Sequence, residues 1–215
     1  MSVEIFKKRI NVNSIKDRCF LLDHTLKSKL NIEKIFVINL KNRIDRLARF
    51  DREMVKFGVE YKIIDGINGL NCKECFKLYL KFITSSYKDI CFNNFKTEIS
   101  PNVFDYILSQ KVIFEESIKN SYENILIFDD DVFFTNNAIL YLNDFAKKNK
   151  SFSLILLGSS EYAIDEKIKK IKNDDNVRYY QPKSLDTCGS FAVIYNKKIY
   201  NEILINIEKY IQYWM

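Results

Sequence analysis

Ile125-Leu126-Ile127-Phe128-Asp129-Asp130-Asp131-Val132 is an apolar run that stops in three consecutive carboxylates. Its β-branched and aromatic residues predict a strand covered on both faces. Strands of that kind belong to layered α/β folds, where ligands sit beyond the carboxyl ends of the strands. Three adjacent carboxylates repel one another and are costly to bury unpaired. A hard divalent cation taking oxygen ligands removes that cost. Asp129 and Asp131 would both face such a cation if the backbone leaves the strand at this point. Aspartates also serve as turn and cap residues after strands, so the triplet alone supports either reading.

On either side of this run, strands and helices alternate. Helical spacing covers residues 14–30, with Ile15, Cys19, Leu22, Leu26 and Leu30 on one side. Lys34–Leu40 reads as a strand. A helix follows, capped by Asn42, carrying Ile44, Leu47, Phe50, Met54 and Phe57 inward and closed by Gly58. Val59–Ile64 is a second strand, ending in Asp65-Gly66. Cys72–Ile83 reads as a helix with Phe76 and Leu80 inward, and Ser100-Pro101 opens another, cap then proline. That helix carries Val103, Ile107, Val112, Phe114 and Ile118 to about Asn120. Beyond the triplet come a helix over Asn136–Lys148, a buried strand over Ser153–Gly158 and a short strand at Val177–Tyr180. Ser190–Tyr195 is the last core strand and Lys197–Tyr213 the terminal helix. The expected architecture is α/β: a mainly parallel central sheet flanked by helices, in one domain over 31–215 behind a helical extension at 1–30.

Composition bounds the function. The 215 residues suit one well-cored domain, and 47% hydrophobic with 29% charged residues is globular. The net charge of +6 comes from scattered lysines, with no arginine-rich helix or RNA-reading aromatic motif. A nucleic-acid partner is therefore not expected, whereas a mild positive field suits a phosphorylated or nucleotide substrate. The 5 cysteines are odd in number and irregularly spaced, and Cys72 and Cys75 lack a second pair to complete a zinc site. Thiols of this kind suit a reducing compartment. No stretch approaches the ~18 apolar residues of a membrane span, and no apolar leader is evident. The expectation is a cytoplasmic protein without a membrane span, with peripheral membrane association open.

Arg43 and Arg46 follow the first strand, where they could donate charge-assisted hydrogen bonds to a diphosphate. A surface Arg–Asp pairing around Asp45 is the simpler account of these two arginines taken alone. The glycine-rich dinucleotide fingerprint and the P-loop pattern are both absent.

An ordered set of motifs carries a more specific signal. Val37-Ile38-Asn39-Leu40 leads to Arg43-x-Asp45-Arg46, then Ile64-Asp65-Gly66, then a serine-containing helix, then the aspartate triplet, then Thr187-Cys188-Gly189 before an apolar strand. Over roughly residues 34–206 this resembles glycosyltransferase family 25, which includes bacterial lipooligosaccharide galactosyltransferases and collagen-modifying glycosyltransferases. The resemblance implies a GT-A type fold, a nucleotide-diphospho-sugar donor with UDP the expected nucleotide, and a manganese or magnesium ion. It implies Asp129 and Asp131 as metal ligands, with Asp130 either a ligand or orienting the sugar. Asn39, Arg43 and Arg46 would line the nucleotide side, Asp65 would lie near base or ribose, and Ser109 would face the donor. Asp186 is the first choice for the base that deprotonates the acceptor hydroxyl, ahead of Glu161. The acceptor would be a glycan or a hydroxylated protein.

This chain departs from the family pattern in two places. Where the family has Pro-Gly…Gly-Cys…Leu-Ser-His, only Pro101, Leu108 and Ser109 remain, and Gln110 takes the histidine position. The family's Glu-Asp-Asp is Asp129-Asp130-Asp131, which shortens the first arm. Two other readings use the same residues: a non-catalytic binding module of the same fold, and a metal-dependent phosphoryl- or nucleotidyl-transfer enzyme.

Overall fold

The computed structural model describes residues 24–68, 73–84, 100–132, 138–148, 151–161, 172–174, 177–179 and 187–212. A π-helical turn at Thr25–Lys29 leads into β1 (Ile32–Asn39), α1 (Ile44–Phe57) and β2 (Lys62–Asp65). Next come α2 (Lys73–Thr84), α3 (Pro101–Lys119), β3 (Asn124–Asp129) and α4 (Ala138–Lys148). β4 (Leu154–Glu161), β5 (Lys172–Asp174), β6 (Val177–Tyr179) and β7 (Thr187–Asn196) follow. A 3₁₀ turn at Lys197–Ile199 then runs into α5 (Tyr200–Gln212). The expected helix over 14–30 lies outside the described residues apart from that π-helical turn.

Five strands form one sheet in the order β2-β1-β3-β7-β4, and β5 and β6 make a separate two-stranded ribbon. β1 pairs in parallel with β2 and β3, but β7 runs antiparallel between β3 and β4. The sheet is therefore mixed, where a mainly parallel one was expected. A single reversed strand changes both pairings it makes, and strand direction leaves no mark on a buried apolar run.

Side chains of β3 alternate between two cores, as a strand buried on both sides requires. Leu126 and Phe128 join Phe50 and Met54 of α1 and Ala146 of α4 on one face. Ile125 and Ile127 join Ile113 and Phe114 of α3 and Tyr200 and Ile207 of α5 on the other. The result is three layers, helix–sheet–helix. Phe114 anchors the second core: it is fully buried, edge-on to Tyr195 with ring centres 5.1 Å apart and tilted against Tyr200 at 5.8 Å.

Helix boundaries follow their caps. Ser100 accepts a hydrogen bond from the Val103 amide ahead of Pro101, and Gly58 closes α1 with φ +61°, a conformation that favours glycine. At the start of α1 the cap residue is Arg43, not the expected Asn42, and no side chain caps it. Ile44, in the first turn, is 72% exposed, although Phe50 and Met54 are buried as anticipated. The inward face of α3 is rotated from the expected one. Val103 and Val112 are exposed, while Phe104, Leu108, Ile113 and Phe114 are buried. Adjacent apolar pairs such as Val112-Ile113 fit either of two helical phases, and packing on the sheet selects one. Phe76 and Leu80 of α2 are also partly exposed rather than inward. β4, read as a buried strand, is an edge strand whose Leu154 and Leu156 are exposed.

Candidate active site

The carboxyl ends of β1, β2 and β3 lie side by side. Asn39 is opposite Asp65 in the β1–β2 register, and Ile38 is opposite Asp129 in the β1–β3 register. At the same end Gly66 donates its N–H to the Asn39 carbonyl at 2.8 Å. A Cβ on Gly66 would stand 3.3 Å from the Asn39 carbonyl atoms and 3.1 Å from the Leu40 side chain, a tight fit that would push Leu40 and the strand end apart by a few tenths of an ångström.

The alternation of β3 separates the aspartates. Asp129 continues the face that carries Ile125 and Ile127, and it meets Tyr106 of α3, whose hydroxyl donates to Asp129 Oδ1 at 2.8 Å. Asp130 turns to the α1 side. Asn39 Nδ2 donates to its Oδ2 at 2.7 Å, and Arg46 Nη1 lies 3.2 Å from its Oδ1. The same Arg46 nitrogen is 3.0 Å from Asp131 Oδ2. Asn39 also donates to the Arg43 carbonyl at 3.1 Å, which fixes the loop leading into α1. The expected convergence of the whole trio is thus replaced by two arms. Among the described residues no group of three or more His, Cys, Asp or Glu side chains forms a preformed metal site.

Burial, reinforced by the charges of Asp131 and Asp130, pushes the Asp129 carboxyl up to about 6, against a lowering hydrogen bond from Tyr106. Tyr195 is pushed up to about 12 by burial, with the Asp129 charge adding to it. Asp130 is itself buried. Asp130 and Asp131 thus share one guanidinium, and beside them Asp129 ionises at a cost. That excess of negative oxygen suits a hard dication held by two carboxylates and completed by water and substrate oxygens.

The remaining expected residues are placed as follows. Arg43 forms a two-point contact with Asp45, at 3.1 Å and 3.2 Å, the surface pairing that its sequence neighbourhood also allowed. Asp65 is exposed and pairs with Lys41 at 3.0 Å. Ser109 is buried; its hydroxyl accepts from the Ile67 amide at 2.9 Å and donates to the Asp105 carbonyl at 2.8 Å. Asp186 lies outside the described residues. Tyr106 was not anticipated as a site residue, because its place beside Asp129 depends on which face of α3 meets the sheet. A cavity of about 190 Å³, lined by Leu26, Ile32, Glu33 and Tyr61 among others, lies at the opposite end of β1. It is away from the strand ends where α/β folds take ligands.

The sequence pattern described as glycosyltransferase family 25 (LPS biosynthesis protein) matches residues 32–209. The chain belongs to glycosyltransferase family 25. This family-25 chain is 28% identical over 144 residues to procollagen galactosyltransferase 1-A of Xenopus laevis, covering 64% of this chain and 23% of that protein. It is 27% identical over 157 residues to a glycosyltransferase 25 family member of Drosophila melanogaster, covering 70% and 25%. A third relative, from Rattus norvegicus, is named a probable inactive glycosyltransferase 25 family member 3; identity is 25% over 146 residues, covering 66% and 25%. The chain spans about a quarter of the length of these curated relatives. Among the described residues no helix of this family-25 chain is long and apolar enough to cross a membrane.

Proposed function

We propose that the protein is a metal-dependent glycosyltransferase that moves a sugar from a nucleotide-diphospho-sugar, with UDP the nucleotide, to a hydroxyl of a glycan or protein. The observation that carries this reading is the acidic end of β3, held by Asn39 and Arg46 at the carboxyl ends of parallel strands. Family membership supplies the reaction class. The assignment includes a GT-A type arrangement within 31–215, behind an extension at 1–30.

In this reading Asp129 and Asp131 hold manganese or magnesium. When bound there, such an ion would supply Lewis acidity to offset charge on a departing diphosphate. Asp130, locked by Asn39, orients the sugar. Arg46 stands where its guanidinium can leave the carboxylates for diphosphate oxygens, a bidentate role that arginine suits. Arg43 and Asp65 form the exposed rim on the nucleotide side, and Ser109 fixes the turn after β2 through the Ile67 amide. Asp186 is assigned as the base. It precedes Thr187, which opens β7, and β7 is antiparallel to β3. The start of β7 is therefore at the aspartate end of the sheet, which supports the assignment.

The test is turnover of a panel of UDP-, GDP- and CDP-sugars with Mn²⁺, in wild type and Asp131→Ala. Metal-dependent release of nucleotide that disappears in the variant is expected. No release from any donor, together with no thermal stabilisation by any nucleotide, rejects the proposal. A second reading is a binding module without turnover. Gln110 at the family's histidine position and the names of relatives such as the rat protein favour it. Nucleotide stabilisation without turnover selects it.

A further inference from the structure

We propose that Tyr106 is a positioning residue matched to the short arm of Asp129, so that hydroxyl and carboxylate work as a pair in presenting one oxygen to the cation. This rests on the metal-dependent reading above. The side chains of Tyr106 and Asp129 join at 2.8 Å although they are 23 residues apart. The short aspartate arm reaches little beyond the strand end, and it needs a fixed orientation to present an oxygen there. Tyr106 supplies that by occupying Oδ1. Oδ2 takes no part in that hydrogen bond, which leaves it as the oxygen available to a cation.

The tyrosine is itself held in place. It is half-buried on α3 and packs against the core that contains Phe114 and Tyr195. Its helix is anchored one turn further on, where Ser109 bonds Ile67. A hydroxyl on a packed ring loses little freedom when it fixes a carboxylate. Hydrogen bonds of this kind to a ligating carboxylate commonly control metal affinity by about 10- to 100-fold when removed.

The experiment measures Mn²⁺ binding at equilibrium, by the paramagnetic signal of the free ion, with and without UDP. It compares wild type, Tyr106→Phe, Asp129→Glu and the double variant. Tyr106→Phe is expected to weaken Mn²⁺ binding about tenfold while the metal-free protein melts close to wild type. In the Asp129→Glu background, where the longer arm no longer sits under the hydroxyl, the same change is expected to have no effect. A merely structural tyrosine would act equally in both backgrounds. If the Phe protein does not fold, Tyr106→Met serves as the second hydroxyl-free variant. Unaltered Mn²⁺ affinity in the hydroxyl-free variants, or an equal loss in both backgrounds, overturns the pairing alone. Wild type that binds no Mn²⁺ even with UDP overturns the pairing and the metal-dependent reading together.

Discussion

Asn39 Nδ2 donates to Asp130 Oδ2 at 2.7 Å, a buried contact between side chains 91 residues apart. It joins the end of β1 to the loop after β3 and fixes the middle carboxylate of the triplet. Replacing Asn39 by Ala leaves Asp130 buried and one donor short. The expected cost is about 1–3 kcal/mol, visible as a lower melting temperature at neutral pH. An unchanged melting temperature would show that Arg46 alone satisfies Asp130.

Arg46 shares one nitrogen between Asp130 and Asp131. It therefore competes with a cation for Asp131 when no nucleotide is present, and is free to serve a diphosphate when one is. Arg46→Ala is expected to tighten Mn²⁺ binding to the nucleotide-free protein and to weaken UDP binding about tenfold, roughly 1.4 kcal/mol. Isothermal titration in the two orders of addition reads both. Loss of Mn²⁺ affinity in the nucleotide-free variant contradicts the competition.

Asp129 carries the pH dependence. Its folded value of about 6 is above the ~3.9 of an unfolded chain, because burial disfavours the charged form. The stabilisation of the protonated state is thus fully present below about pH 4 and is lost as pH rises through about 6. The difference is about 3 kcal/mol. Melts in a chelator between pH 4 and 8 are expected to show stability falling across that window. Asp129→Asn should flatten this component and raise the melting temperature above pH 7. Equal pH slopes in the two proteins exclude Asp129 as the cause.

Ser109 holds the Ile67 amide from within α3. Ser109→Ala removes that acceptor and is expected to cost about 1 kcal/mol, with faster amide exchange at Ile67. Exchange at Ile67 that stays as slow as in wild type argues that the turn after β2 is held by the Gly66–Asn39 backbone contact instead.

The parts of the fold legible in the sequence were those set by local chemistry. The apolar run of β3 and its abrupt end, the Ser100-Pro101 start and the Gly58 stop each depend on residues within a few positions. What could not be read is relational. β7 lies reversed between β3 and β4, and nothing in Ser190–Tyr195 encodes its neighbours. The phase of α3 was ambiguous because its apolar residues occur in adjacent pairs, and so Tyr106 went unrecognised. At the site, residue types announced an acidic centre near two arginines. The partition of the trio, with Asp129 facing α3 and Asp130 facing α1, follows from strand alternation once both helices are in place.

The register of β7 has an architectural consequence. Its last partner on β3 is Phe128, opposite Ala192, yet its pairing with β4 continues to Glu161 opposite Thr187. These two strands overhang the strand that bears the aspartates, like a parapet on one side of the acidic ledge. The ledge is assembled from β1, α1, α3 and β3, without them. Length and sequence of the overhang are thereby uncoupled from the charge cluster, so swapping it between homologues offers a way to alter what approaches the ledge while leaving the three aspartates and their partners in place.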